Sequence, residues 1–123
     1  MKQQSGLTRI ELIMVIVILG ILAAVAVPRF IDLSAQADQA ATNGVAGALS
    51  SAASVNYAAK KAGHSSAVTV SICGDVTSAL QGGLPAGYTI AAAGTTAVAA
   101  DTAVTCTVNG GSSKTANYTA LGV

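Results

Sequence analysis

The feature that most constrains the fold is an apolar run near the amino terminus. Residues 12–27 form a stretch of 16 residues without a charge or a strong hydrogen-bonding side chain, LIMVIVILGILAAVAV. Counted from Leu7, the segment has 21 residues and is interrupted only by Thr8, Arg9 and Glu11. A helix rises 1.5 Å per residue, so about 20 residues match a bilayer core of about 30 Å. The segment therefore needs lipid or other apolar surface around it.

An ordinary secretory signal peptide is one interpretation of this run. Lys2 and Arg9 would form its basic region, and residues 24–26, Ala-Val-Ala, would form its cleavage site. Two observations argue against it. Glu11 borders the run, where a carboxylate costs insertion energy, and a helical pattern continues beyond Ala26.

This second pattern follows Pro28 and has the period of an α-helix. Apolar residues recur at steps of three or four: Phe30, Leu33, Ala37, Ala41, Val45, Ala48, Ala52, Val55 and Ala59. We expect one helix from about Thr8 to Ala62, apolar all round over residues 7–28 and amphipathic over residues 29–62. Gly63 would follow its end. Pro28 removes a backbone donor and Gly20 lowers helix propensity, so this stretch should be the least regular part of the helix.

Residues 63–123 have a different pattern, rich in Gly and Thr. Apolar residues alternate with Thr and Ser, which predicts strands over 68–72, 88–92, 104–108 and 115–119. Asn109-Gly110-Gly111 is a hairpin turn signal, and Asp75 is placed to cap a short helical turn that reaches Gln81. The fold class is therefore α+β, with a small antiparallel sheet packed on the helix between about Val45 and Ala59.

Cys73 and Cys106 are the two cysteines of the chain, and neither belongs to a CxxC pair. A segment that leads out of the cytoplasm favours a disulfide between them. Two buried free thiols are the alternative.

Composition excludes several function classes. Charged residues make up 9% of the chain, against about 25% in ordinary soluble domains, and the net charge is +1. His64 is the single histidine, so neither a catalytic triad nor a zinc site can be assembled. Asp75 and Asp101 alone would make a poor calcium site, and Lys60 and Lys61 suit a helix end. We expect no enzyme activity, no cofactor, no metal and no nucleic-acid site.

The first 35 residues resemble a type IV prepilin signal. A short leader with Lys2 ends in Gly6, and Thr8, Ile10 and Glu11 match the motif that follows it. Gly20 and Pro28 match residues that pilins commonly carry at these positions of the same helix. Two residues depart from the pattern: Leu7 replaces the usual Phe, and Arg9 replaces an apolar residue.

The resemblance implies how the chain is processed. Residues 1–6 would be a leader, and a prepilin peptidase of the inner membrane would cut between Gly6 and Leu7 and methylate the new amine of Leu7. The apolar helix would hold the mature subunit in the inner membrane.

The resemblance also implies a homopolymer. Assembly machinery would drive copies into an extracellular pilus of a Gram-negative-type bacterium, used for adhesion, twitching motility or DNA uptake. Thr8 and Glu11 would serve assembly, the Glu11 carboxylate pairing with the Leu7 amine of a neighbouring subunit. Arg9 would compete with that amine for the Glu11 carboxylate.

Two alternatives stay open at this point. One is a pseudopilin of a type II secretion system, although the cysteine pair and the acid-poor second half favour a pilus. The other is a small secreted binding module whose ordinary signal peptide is removed before Val27.

Overall fold

The computed structural model describes residues 6–26 and 32–123, and the chain divides into two units, Met1–Asp32 and Leu33–Val123. The first unit holds helix α1, Arg9–Val25, with Thr8 as its N-cap and Ala26 as its C-cap. None of its 17 residues is buried. Within the described residues, no helix has both the length and the apolar character to cross a membrane, whereas the sequence predicted such a helix over residues 7–28.

The second unit begins with helix α2, Ser34–Lys61. The predicted single helix from Thr8 to Ala62 is therefore corrected, because Ala26, Asp32 and Leu33 lie outside both helices. A proline disfavours helical backbone in the residue before it, which gives a reason for α1 to end close to Pro28. Pro28 itself lies outside the described residues. Gly20 lies inside α1, and an irregular stretch in an assembled polymer stays a prediction.

Gly63 follows α2 as predicted, with a φ of 79°. The other elements of the second unit are short. A 3₁₀ turn, Cys73–Asp75, leads into helix α3, Val76–Ala79. Strand β1 is Thr89–Ile90, and it is followed by a 3₁₀ turn, Ala91–Gly94. Strands β2, Ala103–Asn109, and β3, Thr115–Leu121, complete an antiparallel sheet in the order β1-β2-β3.

The β2–β3 hairpin confirms the predicted strands over 104–108 and 115–119. Cys106 stands opposite Tyr118, and Asn109 opposite Thr115. The predicted turn at Asn109-Gly110-Gly111 continues into a 3₁₀ turn, Gly111–Ser113. The side chains of β2 and β3 alternate between the core and solvent, as a half-buried sheet requires.

Two other predicted strands are corrected. The strand expected over 88–92 shortens to Thr89–Ile90, because the backbone turns at Ala92 and Ala93, both with a φ of 52°. Residues 68–72 are not a regular strand. The backbone N–H and C=O of Val68 bond to the Asn56 side chain instead, with distances of 2.7 and 2.8 Å.

The face of α2 that contacts the core also differs from the predicted stripe. Its buried residues are Thr42, Ala46, Leu49, Ala53 and Asn56. They lie one position along the chain from Ala41, Val45, Ala48, Ala52 and Val55 of the predicted stripe. Val55 is 70% exposed. The two rows have the same helical spacing, so periodicity alone cannot choose between them.

The polar members of the buried row are satisfied inside the protein. The Thr42 hydroxyl donates to the Asp38 carbonyl oxygen at 2.7 Å, and the Asn56 amide bonds to Val68. A buried polar group that keeps its hydrogen bonds costs little. Thr42 and Asn56 can therefore occupy core positions that a hydrophobic pattern does not reveal.

The core lies between α2 and the sheet. Its largest fully buried side chains are Tyr118, Leu49, Val70, Val76 and Val108. The Tyr118 hydroxyl donates to the Cys73 carbonyl oxygen at 2.8 Å, and burial raises the pKa of Tyr118 to about 12. The phenol therefore stays protonated and keeps this bond at neutral pH.

Gly122 lies at a tightly packed point of the second unit. A Cβ atom there would lie 1.9 Å from the Ala99 carbonyl oxygen, while the Gly122 backbone is held by bonds to Asp101 and Thr102. We expect Gly122→Ala to lower the free energy of unfolding by about 1–3 kcal/mol. Gly47→Ala is the matched control, because nothing lies within 4 Å of its Cβ position in α2, and it should stabilise by up to about 1 kcal/mol. Urea unfolding of the purified subunit measures both, and equal effects would contradict the expectation.

Candidate functional site

The amino-terminal end of α1 carries a reciprocal capping box. The backbone N–H and the hydroxyl of Thr8 both donate to Oε2 of Glu11, each at 2.7 Å. In return, the Glu11 N–H donates to the Thr8 hydroxyl at 3.3 Å. The structure thus brings together the two residues that sequence analysis assigned to assembly. It also assigns them a local role, in which they satisfy helix-end donors and hold the carboxylate in the first turn.

Sequence analysis missed this capping box, although its signal is present. Thr-Arg-Ile-Glu is a Thr followed three residues later by Glu, directly before an apolar run. That spacing is typical of a helix start. Arg9 is the first residue of α1 and lies between the two capping residues in sequence.

Beyond this first turn, α1 presents apolar side chains on every side. All its large hydrophobic residues are exposed: Ile10, Leu12, Ile13, Met14, Val15, Ile16, Val17, Ile18, Leu19, Ile21, Leu22 and Val25. Leu7, just before the helix, is exposed as well. Monomeric soluble proteins rarely expose a contiguous apolar surface of this kind. An exposed apolar surface of this kind is typical of a protein or membrane interaction site.

A disulfide joins Cys73 to Cys106, as predicted. The Cα atoms are 6.0 Å apart, and both residues are buried. The bond links the 3₁₀ turn before α3 to the middle strand of the sheet. It therefore closes a covalent loop through the core of the second unit.

The carboxyl end of α2 contacts the loop before β2. Lys61 forms an ion pair with Asp101, and the Tyr57 hydroxyl donates to the same carboxylate at 3.0 Å. The Lys61 ammonium, followed by the Tyr57 hydroxyl, lowers the pKa of Asp101. The pair is half-exposed, so it orients the loop more than it stabilises the fold. The neighbouring Lys60 bonds to the Ala67 carbonyl oxygen and the Thr69 hydroxyl.

Asp75 and Asp101, which the sequence left as a possible pair, have separate partners. The Asp75 carboxylate accepts hydrogen bonds from the backbone N–H groups of Ser71 and Ile72, at 2.8 and 3.0 Å. It therefore caps the turn that precedes α3. Across residues 6–26 and 32–123, no group of three or more His, Cys, Asp and Glu side chains is arranged to hold a metal ion.

The hydrogen bonds of Asp75 predict a dependence of stability on acid. The Ser71 backbone bond, outweighing the effect of partial burial, lowers the pKa of Asp75 below its ordinary value. A depressed carboxyl pKa contributes stability that is present above the unfolded pKa of about 4 and is lost as the pH falls through the folded pKa. We expect Asp75→Asn to lose part of the stability at pH 7 and to show a weaker decline of its free energy of unfolding as the pH falls below about 4. Urea unfolding at a series of pH values measures this. Parallel curves of the free energy of unfolding against pH for the two proteins would contradict this role.

A groove runs along the flank of α2 that faces α3. Its volume is about 530 Å³, and its apolar lining includes Ala48, Ala52, Val55 and Ala59 of α2, with Val68 and Leu80 opposite. His64 and Gln81 are among its polar lining residues. The Nδ1 atom of His64 accepts a hydrogen bond from the Ser66 N–H at 3.3 Å. None of the described residues that line the groove is Asp, Glu, Lys or Arg.

Comparison with known proteins gives one informative relative. The chain is 38% identical over 118 residues to PilA5 of Thermus thermophilus, the major component of the type IV narrow pilus. The match covers 94% of this chain and 96% of the relative. No protein-family model matches the chain, and no solved structure is significantly similar to it.

Proposed function

The chain belongs to the type IV pilin family, whose members are structural subunits of extracellular pilus filaments, and from that premise we propose that copies of it polymerise around their apolar α1 helices. The observation that carries this mechanism is the exposure of every large side chain of α1. An uncovered apolar helix gains free energy when copies of itself or lipid surround it. The second unit, with a buried core and a disulfide, would lie outside that centre.

Processing is the first step of the proposed route. Residues 1–6 form the leader, a prepilin peptidase cuts between Gly6 and Leu7, and the new amine of Leu7 is methylated. The basic leader before the apolar run supports this route over a cleavage site after it. The apolar segment keeps the mature subunit at the inner membrane until the assembly machinery extracts it.

Glu11 and Thr8 guide the docking of each new subunit. The carboxylate is fixed in the first turn of α1 by the Thr8 capping box, and apolar residues follow it directly. The Leu7 amine of a neighbouring subunit would supply the positive charge that this carboxylate lacks in an apolar centre. Because a buried charge without a partner is costly, only a docking register that pairs the two charges is favourable.

The pilus is favoured over a type II secretion pseudopilus. The relative is a component of a type IV pilus, and the Asp75 and Asp101 carboxylates of the second unit have separate partners. Adhesion, twitching motility and DNA uptake are the uses that such a filament would serve.

The intact mass of the mature chain tests this route. Filaments sheared from cells should contain a chain that begins at Leu7 and is one methyl group heavier than the unmodified sequence. Fragmentation of the amino-terminal peptide would place the methyl group on the Leu7 amine. A chain beginning at Val27 would instead identify a removed signal peptide and would contradict polymerisation through α1. Electron microscopy of the same sample shows whether filaments are present.

A further inference from the structure

The sheet of the second unit has two edges, and the fold protects them unequally. At the outer edge of β3, the Gln39 amide donates to the Thr115 carbonyl oxygen at 2.9 Å. On the same edge, the Thr119 N–H donates to the Ser50 hydroxyl at 3.1 Å. Just beyond the strand, the chain pairs with the backbone of Val70. Because unpaired strand edges are sites for pairing with another chain, these bonds close the β3 edge to a further strand.

The other edge of the sheet, on β2, has exposed backbone groups that point outward. The register places Thr105 opposite Thr119. Opposite residues of an antiparallel pair direct their backbone groups either toward each other or away from each other. The Thr119 N–H points away from β2, to Ser50. The N–H and C=O groups of Thr105 therefore point away from β3, and so do those of Ala103, two residues earlier in the same strand.

Strand β1 is too short to pair with these groups. Its two residues stand opposite Asn109 and Val108. Among the residues that the structure describes, none bonds to the outward backbone groups of Ala103 and Thr105, and both residues are exposed. Residues 103–109 contain neither a charged residue nor a proline, which commonly protect edge strands. The segment from Ala103 to Thr105 is therefore an open edge of β2.

The open edge of β2 is complementary to the same edge of a second copy. An antiparallel pairing centred on Val104 brings Ala103 of each copy opposite Thr105 of the other. Each of these two pairs exchanges both of its backbone bonds, so four hydrogen bonds form at groups that have none within one copy. The edge carries no charge, so two copies of it do not repel each other.

We propose that the open edge of β2 pairs with the same edge of a subunit in a neighbouring filament and joins pili side by side. This proposal rests on the proposed function, in which the second unit lies outside the apolar centre, and adds a contact between filaments. Four hydrogen bonds form a much smaller contact than the interface of about 1,200–2,000 Å² that is typical of stable complexes, so free subunits do not pair. A filament repeats the edge in every subunit, and many weak contacts made together hold two filaments.

Cysteine cross-linking between two filament populations tests the pairing and its register. Sheared filaments of an Ala103→Cys strain are mixed with those of a Thr105→Cys strain and oxidised with diamide. Opposite residues of a hydrogen-bonded pair have Cα atoms about 5.5 Å apart, a distance that a disulfide spans, whereas two copies of the same position are too far apart. Non-reducing electrophoresis should show covalent dimers in the mixture at least about tenfold above either population alone.

A matched pair of lysine variants tests the same contact without added cysteines. Thr105→Lys places a cation on the open edge strand, as natural proteins do to prevent pairing. Thr119→Lys is the control, because Thr119 is exposed, stands directly opposite Thr105 and belongs to the closed edge. In electron micrographs of sheared pili, Thr105→Lys should raise the fraction of single filaments at least about threefold, and Thr119→Lys should stay within about 1.5-fold of the parent.

Equal fractions of single filaments for the two lysine variants would overturn the proposal, whether both bundle or both separate. Parent filaments that do not associate, or a mixture that gives no more dimers than its components, would overturn it as well. If Thr105→Lys forms no filaments, the cross-linking result decides. Each of these results leaves the assembly of single filaments by the parent, and with it the proposed function, intact. A parent chain that makes no filaments would contradict both.

Discussion

Replacing both cysteines with alanine should lower the free energy of unfolding by about 3–4 kcal/mol. The disulfide between Cys73 and Cys106 closes a loop with a sequence separation of 33 residues. Its removal gives the unfolded chain more conformations, and the second unit has few aromatic side chains in its core to compensate. For a domain of this size, such a loss is a large fraction of total stability. Urea unfolding of the purified subunit at fixed protein concentration measures it.

The parent protein under reducing conditions is the control for this double variant. Both Sγ atoms are buried, so alanine also removes a small packing volume that reduction leaves in place. The reduced parent should therefore unfold at a slightly higher urea concentration than the variant. Both should unfold at a much lower urea concentration than the oxidised parent. Coincident curves for the oxidised parent and the variant would show that the bond contributes nothing to stability.

Substitutions at Glu11 should separate its charge from its role in the capping box. Glutamine preserves the reciprocal bonds with Thr8 but carries no charge, whereas alanine removes both. If the carboxylate pairs with the Leu7 amine of a neighbour, Glu11→Gln and Glu11→Ala should both lose most filaments. Leaving a buried charge unpaired typically costs about 3–5 kcal/mol. The measurement is sheared filament yield relative to the mature subunit in the inner membrane.

Arg9 and Thr8 provide the matched controls. Arg9→Leu removes a cation that would compete for the carboxylate, so it should assemble at least as well as the parent. Thr8→Val removes the capping hydroxyl but keeps the Glu11 charge, so it should lose less than Glu11→Gln. A variant series in which Glu11→Gln assembles normally and Thr8→Val does not would assign the role to helix capping instead.

The parts of the fold that the sequence predicted correctly are those with a local signal. The β2–β3 hairpin has alternating apolar residues on both sides of Asn109-Gly110-Gly111, and its strands appear where expected. The disulfide was predicted from two cysteines and an export signal. The predicted role of Asp75 is corrected: it does not cap a helical turn that reaches Gln81, because its carboxylate bonds back to Ser71 and Ile72 at the start of the 3₁₀ turn, and α3 ends at Ala79.

The parts that were wrong depend on contacts between distant residues. Val68, Val70 and Ile72 alternate as a strand would, but the backbone of Val68 bonds to a side chain of α2, 12 residues away in sequence. No residue pattern indicates that Ala92 and Ala93 adopt positive φ. On α2, two rows of small residues have equal spacing, and only the sheet selects the row with Thr42 and Asn56 as the core.

The disulfide has a mechanical consequence for a subunit that is under tension along a filament. An unfolded segment lengthens by about 3.3–3.6 Å per residue, so the 33-residue separation between Cys73 and Cys106 corresponds to roughly 110 Å of extension. While the bond is intact, that length cannot be pulled out, even if β1 and its flanking turns lose their structure. A stretched subunit can yield only outside this covalent loop. The extensible parts are therefore α1, α2 and the residues up to Cys73 on one side, and the chain from Thr107 through β3 on the other.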